Sequence, residues 1–575
     1  MSTRQERLTL APAMAPSWMV ALALTVIAGL GALYLWQWYT PPEQGEPRPE
    51  LVILQLNDTY RLDAVHDERG RERGGFGRVV TLLKQLKEQN RHVLVLHSGD
   101  FLAPSLESQR LRSGTPAMVA ALNYLQEIAP VYAVPGNHEF DEKSPEFLAG
   151  ALGTSHFGWV LSNLERGSAG VNLDLSRRSS ERVVRQFGKV RVGIFALTLD
   201  AAHGGQDREY APVSGDYMAA AEREIKLLEG EGADLIIGLT HLDMPDDVKL
   251  AGLRMKHPRF LWVAGGHEHY WQMEMPTDGS ALVTKGDSNA QTLWKVSVAL
   301  RDGTPSLRAQ RIALDESEVK PDERFQRDVA EHFRSRLRQE MSYLERAVAQ
   351  VKGVCYSATE GVVRQGQSSW GSLIADAMRQ AYRKAPADVA VINGGSIRID
   401  DNFCDEVRFE HLERSFAFDS PVTYVRLSGK NLKQDILEHS VGGKLGDGRF
   451  LQVSGVRFRF DRSQRDGERV FDVEVQRGKS WEPLREGKSY VVAVPKFIFQ
   501  CGDGYDFKKY VTEYVPEGPD IRALTYQALT RLAGVKKPTV HSPDHRIIDV
   551  PRYAISSPVR QAVWVPLSDT DKVCR

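Results

Sequence analysis

From Leu51 onward, short unbroken aliphatic runs alternate with stretches of helical period. "LVILQL", "HVLVLHSGD", "PVYAVPGNHEFD", "KVRVGIFALT", "ADLIIGLTH" and "RFLWVAGGHEH" are rich in Val, Ile, Leu or Phe, and each closes on polar residues or glycine or leads into them. "GRVVTLLKQLKEQ", between the first two, places its apolar residues at amphipathic helical spacing. Continuous branched aliphatic runs are buried strands and the periodic segments cover them, so the pattern predicts layered α/β structure with sites at the strands' carboxyl ends.

This first domain is expected over residues 51–315. The charged, Gly-free, periodic segment "KPDERFQRDVAEHFRSRLRQEMSYLERAVAQV" then predicts one long exposed helix, a strut over 316–352. A second mixed α/β domain is expected over 353–548, with "WGSLIADAMRQAY" as helix, "ADVAVINGGSIR" as strand into loop, and "VSGVRFRFD" and "SYVVAVPKFIF" as further strands. The tail, 549–575, is poorly patterned. Ahead of all this, "PSWMVALALTVIAGLGALYLWQWY" (16–39) is an uncharged run longer than the roughly 20 residues a bilayer core demands, and it ends in an aromatic girdle. It predicts one uncleaved transmembrane anchor, with 1–15 cytoplasmic, 40–50 a linker, and the bulk in the periplasm or outside the cell because Arg4 and Arg7 precede the span. Secretion after signal cleavage is the alternative.

A chain of 575 residues exceeds what one core sustains, in keeping with two domains. Lys plus Arg is 74 and Asp plus Glu is 75, a balance that gives no reason to expect a nucleic-acid polymer as partner. Of the four cysteines, Cys355 and Cys404 are candidates for a bridge, with free thiols the competing reading. No paired-cysteine zinc spacing occurs, so metal donors must be sought among Asp, Asn and His.

Five strand-end motifs supply them: Asp58 in "LNDTY", Asp100 in "HSGD", Asn137 and His138 in "GNHEFD", His241 in "LTHLD", and His267 with His269 in "GGHEH". Any one alone is a common loop or turn residue. Five in chain order can hold two divalent ions bridged by a carboxylate, a pair suited to clamp the attacking and leaving oxygens of a phosphoryl transfer.

On these motifs, "GNHEFD" and "GGHEH" above all, the chain resembles the calcineurin-like metallophosphoesterases, and in particular the 5′-nucleotidase family, from Leu51 to about Phe507. The resemblance implies a four-layer α/β/β/α sandwich followed by a nucleotide-binding domain. It implies Asp100 as the bridging ligand, Asp58 and His269 on one ion, and Asn137, His241 and His267 on the other. His138 would touch the phosphoryl oxygen and be oriented by Asp141. The ions would be zinc, manganese or similar. In the second domain "NGGSIR", "FAFDSPVTYVRLSG", "FLQVSGVRF" and "FIFQCGDGYDF" carry the likeness. They imply Arg364, Asn393 and Arg398 as polar contacts to phosphate and base, Phe418 and Phe497 as a base sandwich, and Asp503 as acceptor for ribose hydroxyls. Without the resemblance, both phenylalanines read as core. Gln367 stands where that family often has glutamate.

The sequence departs from that family at Tyr60, where a histidine is usual. In extended backbone residues 58 and 60 point to one side, which aims Tyr60 at the first metal position. Three outcomes stay open: ligation as phenolate, which favours ferric iron; a hydrogen bond to a metal-bound water; or packing in a chain whose first metal is lost. The expected activity is hydrolysis of nucleoside 5′-monophosphates, with UDP-sugars and cyclic nucleotides as further substrates. The alternatives are a thiosulfohydrolase-like enzyme acting on a carrier-bound sulfur conjugate, and a non-catalytic nucleotide-binding protein with a degraded first site.

Overall fold

The computed structural model describes residues 48–142, 145–164, 179–201, 213–275, 278–381, 386–515, 518–533 and 546–549. The expected anchor (16–39), the residues before it, most of the linker and nearly all of the tail lie outside them. Among the described residues no helix is long and apolar enough to cross a membrane.

Two stacked sheets form the first domain. In one, Leu51–Leu56 runs parallel to Val93–His97, which is parallel to Val131–Ala133, with Thr292–Arg301 antiparallel on the other side of Leu51–Leu56. In the other, Val190–Thr198, Leu235–His241 and Phe260–Ala264 are mutually parallel. Side-chain alternation sorts the layers. Leu51 and Ile53 join Leu94, Leu96, Ile194, Ile237 and Trp262 in the core between the sheets. Val52, Leu54 and Leu56 face outward onto the helices Phe76–Gln89 and Ala117–Gln126 through Val79, Leu83, Met118 and Leu122. Phe195, Leu197 and Ile236 likewise pack against Ala221, Ile225 and Leu228 of the helix Tyr217–Gly230. These are the four layers α/β/β/α that the sequence leads one to expect.

The strut requires correction. The helical part is confined to 323–345, as Glu323–Phe325, a wider π turn Gln326–Ala330, Glu331–Glu340 and a short 3-10 turn Ser342–Glu345. It is not a free rod, because Phe325, Ala330, Phe333 and Leu337 are buried in the first domain's core, Phe325 against the rings of Phe76 and Tyr124. From Ala347 the chain is a strand, Ala347–Ala358. Val348, Val351 and Val354 prefer that state, and antiparallel pairing with Asp401–Arg408 satisfies its backbone. Cys355 and Cys404 face each other in this ladder and form a disulfide.

The second domain is built on a mixed five-stranded sheet containing Val389–Asn393, Ser489–Pro495 and Val422–Ser428. Apolar side chains cover both faces. Ala390, Ile392 and Ala493 pack on Trp370, Leu373 and Ile374 of the helix Ser369–Gln380, while Val391, Leu427 and Val492 pack on Ile436 and Val441. "VRFRF" is a strand of a separate four-stranded sheet.

Candidate metal centre and substrate cleft

Because the central strands of each sheet are parallel, their carboxyl ends meet along one edge of the sandwich, and the loops leaving them carry the expected donors. Leu56 is in register with His97, so Asp58 and Asp100 emerge side by side, tied by backbone bonds from Asp58 N to Gly99 O (2.9 Å) and from Thr59 N to Asp100 O (2.9 Å). The second sheet joins through His241, whose Nδ1 donates to Ser98 O at 2.7 Å. Asp58, Asp100, His267 and His269 all hold positive φ (50°, 58°, 92° and 65°). Non-glycine residues rarely adopt that backbone, and strain of this kind concentrates at functional sites. Two glycines make the convergence sterically feasible: a Cβ on Gly136 would lie 2.1 Å from Asp100 Oδ1, and one on Gly266 would lie 2.2 Å from Ser98 O.

Asp58, Asp100 and His269 offer atoms close enough together to hold one ion. His269 Nε2 is 3.3 Å from Asp58 Oδ1. On the other side of Asp100, His241 Nε2 lies 3.3 Å from Asp100 Oδ2 and 3.2 Å from Asn137 Oδ1, and His267 Nδ1 lies 3.1 Å from the same Asn137 oxygen. All six expected donors therefore meet in two overlapping groups around Asp100. Their chemistry suits cations. Against burial, which alone would raise it, the histidines His269 and His241 hold Asp58 at about 2. Burial would lower His241, yet Asp100 and Asp58 raise it to about 9. Buried carboxylates that draw a proton onto an imidazole in this way favour a divalent ion in the same place.

Tyr60 points into the first group. Its Oη is 2.8 Å from His269 Nε2, 3.2 Å from Asp100 Oδ2 and 3.3 Å from Asp58 Oδ1. Burial, then the Asp100 and Asp58 charges, push the phenol well above its ordinary 10. The hydroxyl is in the donor set rather than in apolar packing.

His138 Nδ1 donates to Asp141 Oδ2 at 2.8 Å, which leaves Nε2 facing the site, 3.9 Å from Asp100 Oδ2. From the second domain, Arg398 Nη2 approaches that Nε2 at 2.5 Å, and the Phe418 ring lies nearly parallel to the imidazole at 5.6 Å. Arg364 is buried in the same cleft. Asn393 Nδ2 donates to Asp503 Oδ2 at 2.6 Å, and burial pushes the Asp503 carboxyl up. Phe418 and Phe497 are 36% and 47% exposed, so neither is core. Phe497 stands over Gly502, where a Cβ would lie 2.5 Å from its ring. Gln367 turns away to structural work, its Oε1 accepting from Arg546 N at 2.8 Å.

Some of the supporting groups escape a reading by motif. Glu139, inside "GNHEFD", accepts from the backbone N–H groups of Gly136, Asp100, Phe101 and Leu102 at 2.5, 2.9, 2.8 and 2.8 Å, pinning two ligand loops to each other. Burial and Asp100 raise it to about 7. Lys285 is buried against Asp247 (2.9 Å) and Glu268 (2.5 Å), bracing the "GGHEH" loop from behind. Glu360 and Asp400 reach across from the second domain. An acid within a glycine-bounded ligand loop, as at Glu139 and Glu268, is a signal the sequence carries; no comparable signal marks Lys285.

A calcineurin-like phosphoesterase family model matches residues 51–271, and a 5′-nucleotidase C-terminal domain model matches residues 347–510, together well over half of the chain. A 5′-nucleotidase of Bos taurus is 26% identical over 530 residues, covering 85% of this chain and 88% of that protein. Among solved structures, a 5′-nucleotidase precursor from Thermus thermophilus superposes with a TM-score of 0.69 at 24% identity, over 87% of this chain and 99% of that one. The sulfate thiohydrolase SoxB of the same organism does so with a TM-score of 0.66 at 16% identity, over 90% of this chain and 99% of its own, a likeness of fold alone. The double-sheet sandwich with acids and imidazoles along one edge is that of a calcineurin-like metallophosphoesterase, a class of hydrolase that uses divalent metals. Within that class, the chain belongs to the 5′-nucleotidase family, whose C-terminal domain it carries.

Proposed function

We propose that this hydrolase acts on nucleoside 5′-monophosphates outside the cytoplasm, anchored to the inner or plasma membrane by residues 16–39. The reading rests above all on one observation, the convergence on Asp100 of two donor groups with His138 and Arg398 at their open side. Asp58, Asp100 and His269 would hold one ion, with Tyr60 beside it, and Asp100, Asn137, His241 and His267 the other. When bound, the ions supply Lewis-acid neutralisation of the phosphoryl charge.

The protein's own groups do the rest. Arg364 and Arg398 bind phosphate oxygens through guanidinium N–H donors. Asp141 accepts a hydrogen bond from His138 Nδ1–H, which fixes the ring with Nε2 toward the phosphoryl group or leaving oxygen, where the ring, once it has taken up a proton from solvent, stabilises the negative charge that develops. Phe418 and Phe497 offer ring faces to the base, and Asn393 with Asp503 offers a hydrogen-bonding edge to the nucleoside. Such stacking contributes about 1–3 kcal/mol per base, enough to select nucleotides over simple phosphate esters.

The test is metal analysis of the purified protein with assays on 5′-AMP, UDP-glucose and bis-p-nitrophenyl phosphate. Two ions per chain and preference for 5′-AMP are expected. A protein that binds no metal and turns over none of the three overturns the reading. Fractionation of expressing cells, with protease added from outside, checks the anchor and its orientation.

A further inference from the structure

The two donor groups are supported differently. Around the second group, His241 is oriented within the first domain by Ser98 O. Among the described residues of the first domain, His269 in the first group has no such partner for its Nδ1. Its Nδ1 meets Glu360 of the second domain, at 2.8 Å to Oε1 and 2.7 Å to Oε2. Glu360 is itself buried and fixed: Ser288 Oγ donates to Oε2 at 2.9 Å and Arg364 Nη2 to Oε1 at 3.0 Å, while its backbone N–H donates to Asp400 Oδ1 at 2.9 Å. Asp400 is held in turn by Asn289 Nδ2 (2.7 Å) and Gln291 Nε2 (3.0 Å) of the first domain.

We infer that Glu360 is a positioning residue for the first metal site, so that this site is completed by the second domain while the other is complete within the first. The carboxylate accepts a hydrogen bond from His269 Nδ1–H, selects the tautomer whose Nε2 carries the lone pair, and holds that lone pair toward Asp58 and Asp100. A partner of this kind on a ligating histidine commonly changes metal affinity by about 10- to 100-fold. Glu360 also grips Arg364, so one side chain joins a ligand of the first ion to an arginine assigned above to the substrate phosphate. The inference rests on the metal roles proposed above and is independent of which ester is cleaved.

The experiment is a competition titration of the full-length, detergent-solubilised protein with Zn²⁺ against a chromogenic chelator, resolving both binding steps. Glu360→Ala is expected to weaken one step by about 10- to 100-fold and leave the other within about twofold. Glu360→Gln keeps an acceptor oxygen within reach of Nδ1–H and recovers most of the loss, which a purely electrostatic role would not allow. Ser288→Ala, a milder change, weakens the same step less and keeps the test available should Glu360→Ala not fold. Asp401→Asn cuts a neighbouring interdomain ion pair without touching His269 and serves as control. Unchanged binding in Glu360→Ala, or an equal loss in Asp401→Asn, overturns the inference. Assay of 5′-AMP on the same samples separates the two readings. A selective loss of one step in a protein inert toward nucleotides sinks the substrate assignment alone; unaltered metal binding in Glu360→Ala, with an active wild type, sinks this inference alone.

Discussion

Tyr60 is the residue at which this chain leaves its family's usual pattern, and its surroundings narrow the three outcomes. The hydroxyl lies within 3.3 Å of two carboxylates and an imidazole, inside the first donor group. Ligation as phenolate would require losing a proton that burial and the Asp100 and Asp58 charges hold well above the ordinary 10. An imidazole ligates without that step, so Tyr60→His is expected to tighten the first site by at least about tenfold, read as increased metal occupancy at limiting zinc. Equal occupancy, together with a visible charge-transfer band in the wild type that Tyr60→Phe abolishes, would instead establish a ferric phenolate. At Asp141, substitution by Asn leaves the ring of His138 without its anionic partner. kcat is expected to fall about 100-fold with metal content unchanged; loss of metal in parallel would place Asp141 in metal binding instead. The strand-end donors were legible because each sits beside a glycine or at the close of an aliphatic run. Tyr60 does face Asp58, but the two-residue period of extended chain is not the cause, since the strand ends at Leu56 and Asp58 holds a positive φ. Glu360 was not legible: its partner His269 lies 91 positions away in another domain, and spacing along the chain carries no trace of that contact.

At the scale of elements, buried strands were the easiest to read, since Val/Ile/Leu runs such as Leu235–His241 leave little competing helical signal. The connection between domains misled for a physical reason. Charged helix formers up to Glu340 share a period with the residues that follow, but Ala347–Ala358 gains a partner strand, Asp401–Arg408, that local sequence does not announce. Tertiary pairing overrides propensity there. The same ladder carries the Cys355–Cys404 bridge, which closes a loop of 49 residues. Removing it by Cys355→Ser with Cys404→Ser is expected to destabilise the second domain by about 2–4 kcal/mol, read as a lower urea midpoint. Reductant should lower the wild-type midpoint at least as far, since Cys501 is disulfide-bonded as well. A midpoint insensitive to both changes would mean that strand pairing alone holds the ladder.

For the whole molecule, the decisive feature is a set of ion pairs and hydrogen bonds that join the two domains. Arg61 and His66 of the first domain share Asp401 of the second, at 2.8 and 3.0 Å, and Arg414 pairs with Glu107 across the boundary at 2.5 Å. Interfaces of this composition permit relative motion more readily than apolar ones, and this one titrates. The hydrogen bond from His66 to Asp401 raises the imidazole above its ordinary 6.5 despite partial burial, with Arg61 opposing and Glu72 assisting. A raised histidine contributes to docking fully below about pH 6.5, and the contribution is lost as pH rises through the raised value. Asp401 acts at the other end: against burial, Arg61 and His66 hold it at about 2, so its contribution is present above its ordinary 3.8 and lost as pH falls toward 2. Docking is therefore expected to be tightest between these flanks, in mildly acidic solution. Measured by small-angle scattering and by the thermal midpoint, the wild type should loosen as pH rises above about 6.5, and His66→Asn should flatten that slope while shrinking the acid flank, which Arg61 then chiefly sustains. A slope that persists unchanged in His66→Asn would assign the titration to another group at the domain boundary.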